Sequence, residues 1–144
     1  MSDPAAPPAG PRDGAEVMRQ FLPASPFVGH LGIGLVELSA DRAVLDLPFR
    51  PELATIGSTV HGGALAALLD TTAMAASWSG AAVPAVLRGS TVSMTISFLR
   101  PAAGVDLRAE GRVLRRGRTL TNVSVDIFAD GELVGAGLVV YRLG

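Results

Sequence analysis

A single carboxylate interrupts the most apolar stretch of the sequence, and it is the first residue that could perform chemistry. Asp70 follows the run ALAALL at 64–69 and precedes TTAM at 71–74. Burying a carboxylate costs several kcal/mol unless the group is hydrogen-bonded or protonated. Taken alone, the pattern favours a structural aspartate paired with a backbone group or a hydroxyl, although carboxylates in such surroundings also cluster at active sites.

The second feature is His61-Gly62-Gly63, where a helix is predicted to begin. Two glycines at a helix start leave backbone N–H groups unshielded, and the helix dipole adds positive potential there. This combination stabilises an anion, including the oxyanion that forms when a carbonyl is attacked. The structural alternative is that the glycines only permit close backbone packing and that His61 is a hydrogen-bonded structural histidine.

The spacing of these two features constrains any site that uses both. Asp70 comes eight residues after Gly62, which is about 12 Å along a helix at ~1.5 Å per residue. One carbonyl group cannot contact the Gly62 amide and the Asp70 carboxylate of the same helix. A shared site would therefore need two subunits, and a two-fold dimer would hold two equivalent sites.

The periodicity of apolar residues indicates the elements that position these groups. Residues 1–13 are rich in Pro and Ala without an apolar period, which predicts a flexible tail. A short helix is predicted from Gly14 to Leu22, followed by β-like runs at Ile33–Leu38 and Ala43–Phe49. The segment 61–79 is rich in Ala, Leu and Met on all sides, which predicts a buried helix.

Beyond that helix the apolar residues recur with period two. Alternating runs at 91–98, 105–113 and 123–127 predict strands, Asp130-Gly131 predicts a hairpin turn, and the last strand covers 133–141. The simplest architecture is an α+β fold in which one antiparallel sheet wraps its apolar face around one long apolar helix. We expect one domain over residues 14–144.

Composition excludes several function classes. The chain has 144 residues, 49% apolar and 17% charged, and it has no cysteine, which excludes a thiol nucleophile and a thiolate metal site. A net charge of −1 argues against nucleic-acid binding. We see no signal peptide, no membrane span and no metal or nucleotide motif, so we expect a cytoplasmic protein without a cofactor.

The segment VHGGALAALLDTTAMA resembles the signature of hot-dog-fold acyl-CoA thioesterases of the PaaI-like branch, named for phenylacetic acid degradation. In that signature an acid follows the histidine of HGG by nine positions. The resemblance extends through LGIG at 31–34, FLRP at 98–101 and GRTL at 117–120. It implies a central helix in a curled antiparallel sheet, with homodimers as the minimal active unit, often assembled into homotetramers.

The resemblance also implies roles for individual residues. Gly62 matches the position whose amide polarises the thioester carbonyl, and Asp70 matches the carboxylate that acts as general base on water or as nucleophile. Thr91 matches a hydroxyl position that helps to place the water. His61 matches the signature histidine, which orients the loop more than it accepts a proton, and Gly63 is expected to contact substrate.

One position departs from the family pattern. Six positions before the histidine the family usually has Asn or Gln, whose side chain helps to bind the carbonyl or the water. Here the residue is Thr55, whose hydroxyl donates a hydrogen bond with shorter reach and without an amide fork. We include Thr55 among the candidate site residues, with Ser58 and Thr59 as alternatives.

A cluster of arginines offers cations for the phosphates of coenzyme A. Arg115, Arg116 and Arg118 lie in a predicted turn, and guanidinium forks suit phosphate oxygens. A solvated hairpin tip would give the same pattern.

The predicted function is hydrolysis of an acyl-CoA or a related carrier thioester by Asp-assisted attack of water. Two alternatives remain open at this point: a non-catalytic acyl-CoA-binding module, which Thr55 keeps under consideration, and a hot-dog dehydratase or hydratase. The second alternative uses a histidine in a different motif, and this chain has only His30 and His61.

Overall fold

The computed structural model describes residue 5 and residues 9–144. The predicted tail falls largely on residues 1–4 and 6–8, which lie outside the described residues. The helices are α1 (Gly14–Ala24), α2 (Pro26–Leu31) and α3 (Gly62–Ser79). The strands are β1 (Gly34–Ser39), β2 (Arg42–Leu47), β3 (Ala54–Ile56), β4 (Thr59–Val60), β5 (Gly89–Phe98), β6 (Leu107–Arg116), β7 (Leu120–Ala129) and β8 (Glu132–Leu143), with a 3₁₀ turn at Pro51–Leu53.

Helix α3 is the buried centre of the molecule, as predicted. Its buried residues occur on every side, because strands of the sheet and helix α1 both pack against it. The hydroxyls of Thr71 and Thr72 each donate to the carbonyl oxygen four residues earlier, at 2.7 Å, so the polar side chains inside the helix bond to its own backbone. Asp70 is only half-buried, on a side of the helix that the sheet does not fully cover.

Six strands form one antiparallel sheet in the order β1-β2-β6-β7-β8-β5. The sheet is open, with β1 and β5 as its edges. Strands β7 and β8 are joined by Asp130-Gly131, whose φ values of 49° and 76° give the left-handed backbone that such two-residue hairpins need. The predicted α+β architecture, with one long helix against an antiparallel sheet, is confirmed.

Several element boundaries differ from the predicted ones, each for a local reason. Helix α1 runs past Leu22 to Ala24, with Asp13 capping its first turn by accepting the Glu16 N–H at 2.9 Å. The predicted turn at the arginine cluster begins later than expected, because Arg115 and Arg116 continue β6 and pair with Asn122 and Thr121.

The sequence pattern did not predict three short elements. Helix α2 and strands β3 and β4 have six, three and two residues respectively. Elements this short give no readable period, since one turn or one pleat carries too few residues to distinguish helix from strand.

The edge strand β5 differs from the predicted alternation in one respect that matters for the site. A β-bulge lies between Thr91 and Ser93. Thr91 pairs with the buried Tyr141 and so faces helix α3, whereas Thr95 pairs with Leu138, which is 55% exposed on the other face. Strict alternation over residues 91–98 would place Thr91 on the same face as Ser93 and Thr95, but the bulge inserts one residue and reverses the alternation.

Candidate active site

Asp70 is held by a single hydrogen bond. The Thr91 hydroxyl donates to Asp70 Oδ1 at 2.5 Å. Within the described part of the chain, Oδ2 has neither a hydrogen-bond donor nor a cationic partner. A carboxylate fixed through one oxygen, with the other free, can accept a proton from a water molecule placed beside it.

His61 caps the start of helix α3. Its Nδ1 accepts the Gly63 N–H at 2.7 Å, and its own backbone N–H donates to the Leu53 carbonyl at 2.7 Å. Because Nδ1 is an acceptor, neutral His61 carries its proton on Nε2. The imidazole thus fixes the turn that leads into the helix, which agrees with an orienting role.

The two glycines differ in what their amides do. The Gly63 N–H is used by His61, whereas the Gly62 N–H has no acceptor among residues 9–144. A Cβ atom added to Gly62 would lie 3.2 Å from the Phe98 ring at the end of β5. Gly62 therefore presents a free amide at the positive end of α3, and the Phe98 ring occupies the space that a side chain at this position would need.

The structure does not bring Thr55 to Asp70. Thr55 is exposed on β3, in the short β3–β4 hairpin that precedes His61. Ser58 and Thr59 follow in the same hairpin, and the Ser58 carbonyl accepts the Gly104 N–H at 2.9 Å. This group lies with Gly62 at the beginning of α3, about eight residues of helix away from the carboxylate.

The arginine cluster lies at the opposite end of α3. Arg116 donates to Asp41 Oδ1 through Nη2 at 2.7 Å and Nε at 3.2 Å, beside Gly80 at the helix end. Arg115 and Arg118 are exposed, and neither forms an ion pair with another described residue. Within one subunit the cluster is therefore about 27 Å of helix from Gly62, at ~1.5 Å per residue.

A mostly apolar pocket of about 470 Å³ begins one helical turn after Asp70, at Met74, and Asp70 itself does not line it. Met74, Trp78 and Leu87 line it, together with residues from α1. Phe27 lines a separate pocket of about 230 Å³ with His61 and Gly63. Neither Tyr141 nor Arg88 was singled out from the sequence, although both line the larger pocket.

One subunit thus carries two candidate half-sites at opposite ends of β5. The first consists of Asp70 and Thr91 near the strand's beginning, and the second consists of Gly62 beside Phe98 at its end. The separation of Gly62 and Asp70 predicted from helix spacing holds, because α3 is continuous from Gly62 to Ser79.

No helix in the described ranges is long and apolar enough to cross a membrane.

Comparison with known proteins gives consistent matches. Residues 57–136 match the model of the family described as "Thioesterase superfamily". The chain is 32% identical to human acyl-coenzyme A thioesterase 13 over 136 residues, which cover 90% of this chain and 93% of that protein. A protein named as an esterase in Saccharolobus solfataricus is 31% identical, over 78% of this chain and 79% of its own length.

Solved structures agree with the fold. A thioesterase family protein from Silicibacter pomeroyi has a TM-score of 0.82 at 25% identity, covering 91% of this chain and 99% of that one. A mutant of the phenylacetic acid degradation protein PaaI from Thermus thermophilus has a TM-score of 0.73 at 26% identity, covering 83% and 100%. The long helix against an open antiparallel sheet is thus the hot-dog thioesterase fold, and the chain belongs to the thioesterase superfamily.

Proposed function

We propose that this protein hydrolyses an acyl-CoA, or a related carrier thioester, to the free acid and the thiol. The observation that carries the proposal is the Asp70 carboxylate, oriented by Thr91 through Oδ1 and free at Oδ2, with an apolar pocket that begins one helical turn away at Met74. An oriented base next to a space for an acyl chain is the arrangement that water-assisted acyl transfer requires.

In the proposed reaction, Asp70 Oδ2 accepts a proton from water while the water oxygen forms a bond to the thioester carbonyl carbon. The negative charge that develops on the carbonyl oxygen is stabilised by the Gly62 N–H. Collapse of the tetrahedral intermediate breaks the carbon–sulfur bond, and the proton held by Asp70 passes to the departing thiolate. The carboxylate is then regenerated, so that no cofactor is consumed.

The proposed active unit is a two-fold homodimer formed through β5. This strand has ten residues, lies at the sheet edge, and exposes Val92, Met94 and Phe98 by 57%, 39% and 56%. A long apolar edge with unpaired backbone groups favours pairing with another strand. Antiparallel pairing of two copies about the strand's middle, near Met94 and Thr95, would bring one subunit's Thr91 towards the other's Phe98.

In that pairing, the carboxylate half-site of one subunit would lie opposite the amide half-site of the other. Thr91 carries Asp70 with it, and Phe98 lies beside Gly62. The amide of one subunit would therefore approach the carboxylate of the other, and the two-fold axis would create two such sites. The same assembly agrees with the 12 Å spacing that excludes a site within one chain.

A charge at the middle of β5 is expected to separate the dimer. In Thr95→Glu, two carboxylates would face each other near the axis, and like charges directly opposite one another destabilise a strand pair. We expect a folded monomer with activity reduced about 100-fold or more, because each subunit then keeps only half-sites. Light scattering after size exclusion gives the mass, and thiol release gives the rate.

Val36→Glu provides the matched control for that variant. Val36 is 45% exposed on β1, the other edge of the sheet, and its variant should remain a dimer with activity near wild type. A fully active Thr95→Glu monomer would contradict the shared site.

The remaining predicted contacts stay proposals. Arg115 and Arg118 are proposed to bind the phosphates of coenzyme A, with Arg116 anchored to Asp41. Gly63 and Thr55 are proposed to contact the substrate near the start of α3. The Gly63 N–H also donates to His61 Nδ1 and so orients the imidazole. The homotetramer and the phenylacetic acid pathway remain predictions from the family resemblance, and the cytoplasmic location remains a prediction from the sequence pattern.

A panel of acyl-CoA substrates tests the proposal directly. Straight-chain and aromatic acyl-CoAs are incubated with the protein, and free coenzyme A is followed with a thiol reagent. A thioesterase releases one thiol per acid, whereas a dehydratase leaves the thioester intact and a binding module releases none. Absence of thiol release across the panel would refute the proposed reaction.

A further inference from the structure

The wall of the 470 Å³ pocket is mostly apolar. The apolar part consists chiefly of Val17, Met18 and Phe21 of α1, Met74 and Trp78 of α3, and Leu87. The polar side chains that line it belong to Gln20, Arg88 and Tyr141, and the last two are the donors that a ligand would use. Neither takes part in the proposed proton transfer.

The Tyr141 hydroxyl is buried, and its O–H proton has no hydrogen-bond acceptor among the described residues. The residue is 4% exposed, and its oxygen accepts the Trp78 Nε1–H at 3.2 Å. Buried hydroxyls normally have such an acceptor. Burial raises the pKa of Tyr141, with the Asp70 carboxylate adding to the effect against the Trp78 hydrogen bond, so the group remains a donor at neutral pH.

Gly89 makes room for this hydroxyl. A Cβ atom at position 89 would lie 2.5 Å from Tyr141 Oη, which no side chain could tolerate without displacing the ring. The hydroxyl therefore lies between Trp78, Gly89 and the pocket, where a bound ligand can accept its hydrogen bond.

Arg88 is adjacent to that end of the pocket. Its backbone is fixed on both sides, because its N–H donates to the Val86 carbonyl and its own carbonyl accepts the Gly144 N–H, each at 2.8 Å. Its exposed guanidinium forms no ion pair with any residue that the structure describes. Arg88 precedes the glycine that lies against the Tyr141 hydroxyl, and a guanidinium without a carboxylate partner at that place is suited to an anion.

The distance from the reacting group sets the length of the ligand. Gly89 and Arg88 precede Thr91 by two and three residues, which is about 7 to 10 Å along a strand at ~3.3 Å per residue. Trp78 lies two helical turns beyond Asp70, on the same side as Met74. An acyl chain starting at Asp70 would therefore pass an apolar wall before it meets the two donors.

Resting on the proposed thioesterase function, we propose that the preferred acyl group is apolar in its middle and ends in a carboxylate, which Arg88 and the Tyr141 hydroxyl bind. The substrate class is then the monothioester of a medium-length dicarboxylic acid. A plain fatty acyl chain of equal length leaves the hydroxyl without an acceptor and the guanidinium without a counter-charge.

Matched acyl pairs test this proposal. Adipoyl-CoA and suberoyl-CoA are compared with hexanoyl-CoA and octanoyl-CoA, which have equal length without the terminal carboxylate. We expect kcat/KM to be about tenfold higher for the carboxylated member of each pair, as for one charge-assisted hydrogen-bond pair. Arg88→Gln should reduce that preference to within about twofold.

Two further variants separate structural from specific effects. Tyr141→Phe should reduce the preference by about fivefold, and a thermal melt shows whether that variant is folded. Arg142→Gln is the control, because Arg142 is the exposed neighbour of Tyr141 on the other face of β8 and should keep the full preference. Equal kcat/KM for suberoyl-CoA and octanoyl-CoA in the wild type would overturn the proposal.

A change of carrier identifies the anion. Suberoyl and octanoyl thioesters of N-acetylcysteamine lack phosphates, and the preference for the suberoyl group should persist on this carrier. If Arg88→Gln instead slowed both CoA substrates equally and neither cysteamine substrate, Arg88 would bind the phosphates of the carrier, and the proposal would fail.

A binding measurement separates this inference from the proposed reaction. Trp78 is the only tryptophan of the chain and lines the pocket, so its fluorescence reports occupancy without hydrolysis. We expect suberoyl-CoA to bind about tenfold more tightly than octanoyl-CoA, and Arg88→Gln to remove the difference. That result without thiol release would refute the thioesterase and retain the ligand class, whereas hydrolysis with equal affinities would refute the ligand class alone.

Discussion

Replacement of Asp70 by asparagine is expected to lower kcat about 100-fold or more while the protein remains folded, because the amide keeps the shape of the carboxylate and cannot accept the proton of water. The Thr91 hydroxyl can still donate to the Asn Oδ1 that replaces the Asp70 oxygen. The helix around position 70 should therefore keep its packing, and the thermal midpoint should change little.

Binding should survive that substitution. Trp78 fluorescence should report acyl-CoA affinity within a few-fold of wild type, since the pocket beside Met74 and Tyr141 is unchanged. A low kcat with unchanged affinity identifies a group that acts in the transition state. Asp126→Asn, on β7 away from α3, is the matched control and should be fully active.

Turnover by Asp70→Asn within a few-fold of wild type would end the assignment of Asp70 as the base. The aspartate would then be the structural residue that its hydrogen bond to Thr91 also allows. Unfolding of the variant would point to the same structural role.

The second large effect is recovery of activity when two inactive variants are mixed. Asp70→Asn removes the base from one half-site, and Gly62→Pro removes the N–H from the other. Proline is tolerated at the first helical position, and His61, with ψ of 136°, already has the extended conformation that a residue before proline adopts. The Phe98 ring beside Gly62 is 56% exposed and has room to shift.

After subunit exchange, about half of the dimers contain one chain of each kind, by two-fold symmetry. Each mixed dimer has one site with both defects and one site with neither, so activity should recover to about a quarter of wild type. If each site were built within one chain, every site would keep a defect and the mixture would stay inactive.

Native mass spectrometry establishes that exchange has occurred, since the two variants differ in mass. As a control, Asp70→Asn is mixed with a chain that carries both substitutions, and no intact site can form. Exchange without recovery in the first mixture would refute the shared site, and with it the role of either Gly62 or Asp70.

The sequence alone determined the elements that depend on local pattern. The long helix at 61–79 was predicted within one residue, because apolar residues on all sides of a 3.6-residue period describe a buried helix wherever it lies. The hairpin at Asp130-Gly131 followed from residues that tolerate positive φ. The distance between Gly62 and Asp70 also followed, since a continuous helix has a fixed rise.

The tertiary structure decided what depends on pairing between distant segments. The bulge in β5 turns Thr91 towards Asp70. The alternation of residue types over 91–98 does not predict this bulge. Arg116 is occupied by Asp41, 75 positions away in the chain, so the three predicted phosphate ligands are not equivalent.

The residues that form the pocket could likewise not be predicted from the local sequence pattern. Trp78 and Met74 could be placed on one side of a helix from their spacing, but Tyr141 and Arg88 join them only through the position of β5 beside β8. Phe27 belongs to a different pocket for the same reason. Period and spacing describe one element at a time, whereas a site is made where elements far apart in sequence meet, and their register is set by packing and strand pairing that the local pattern does not encode.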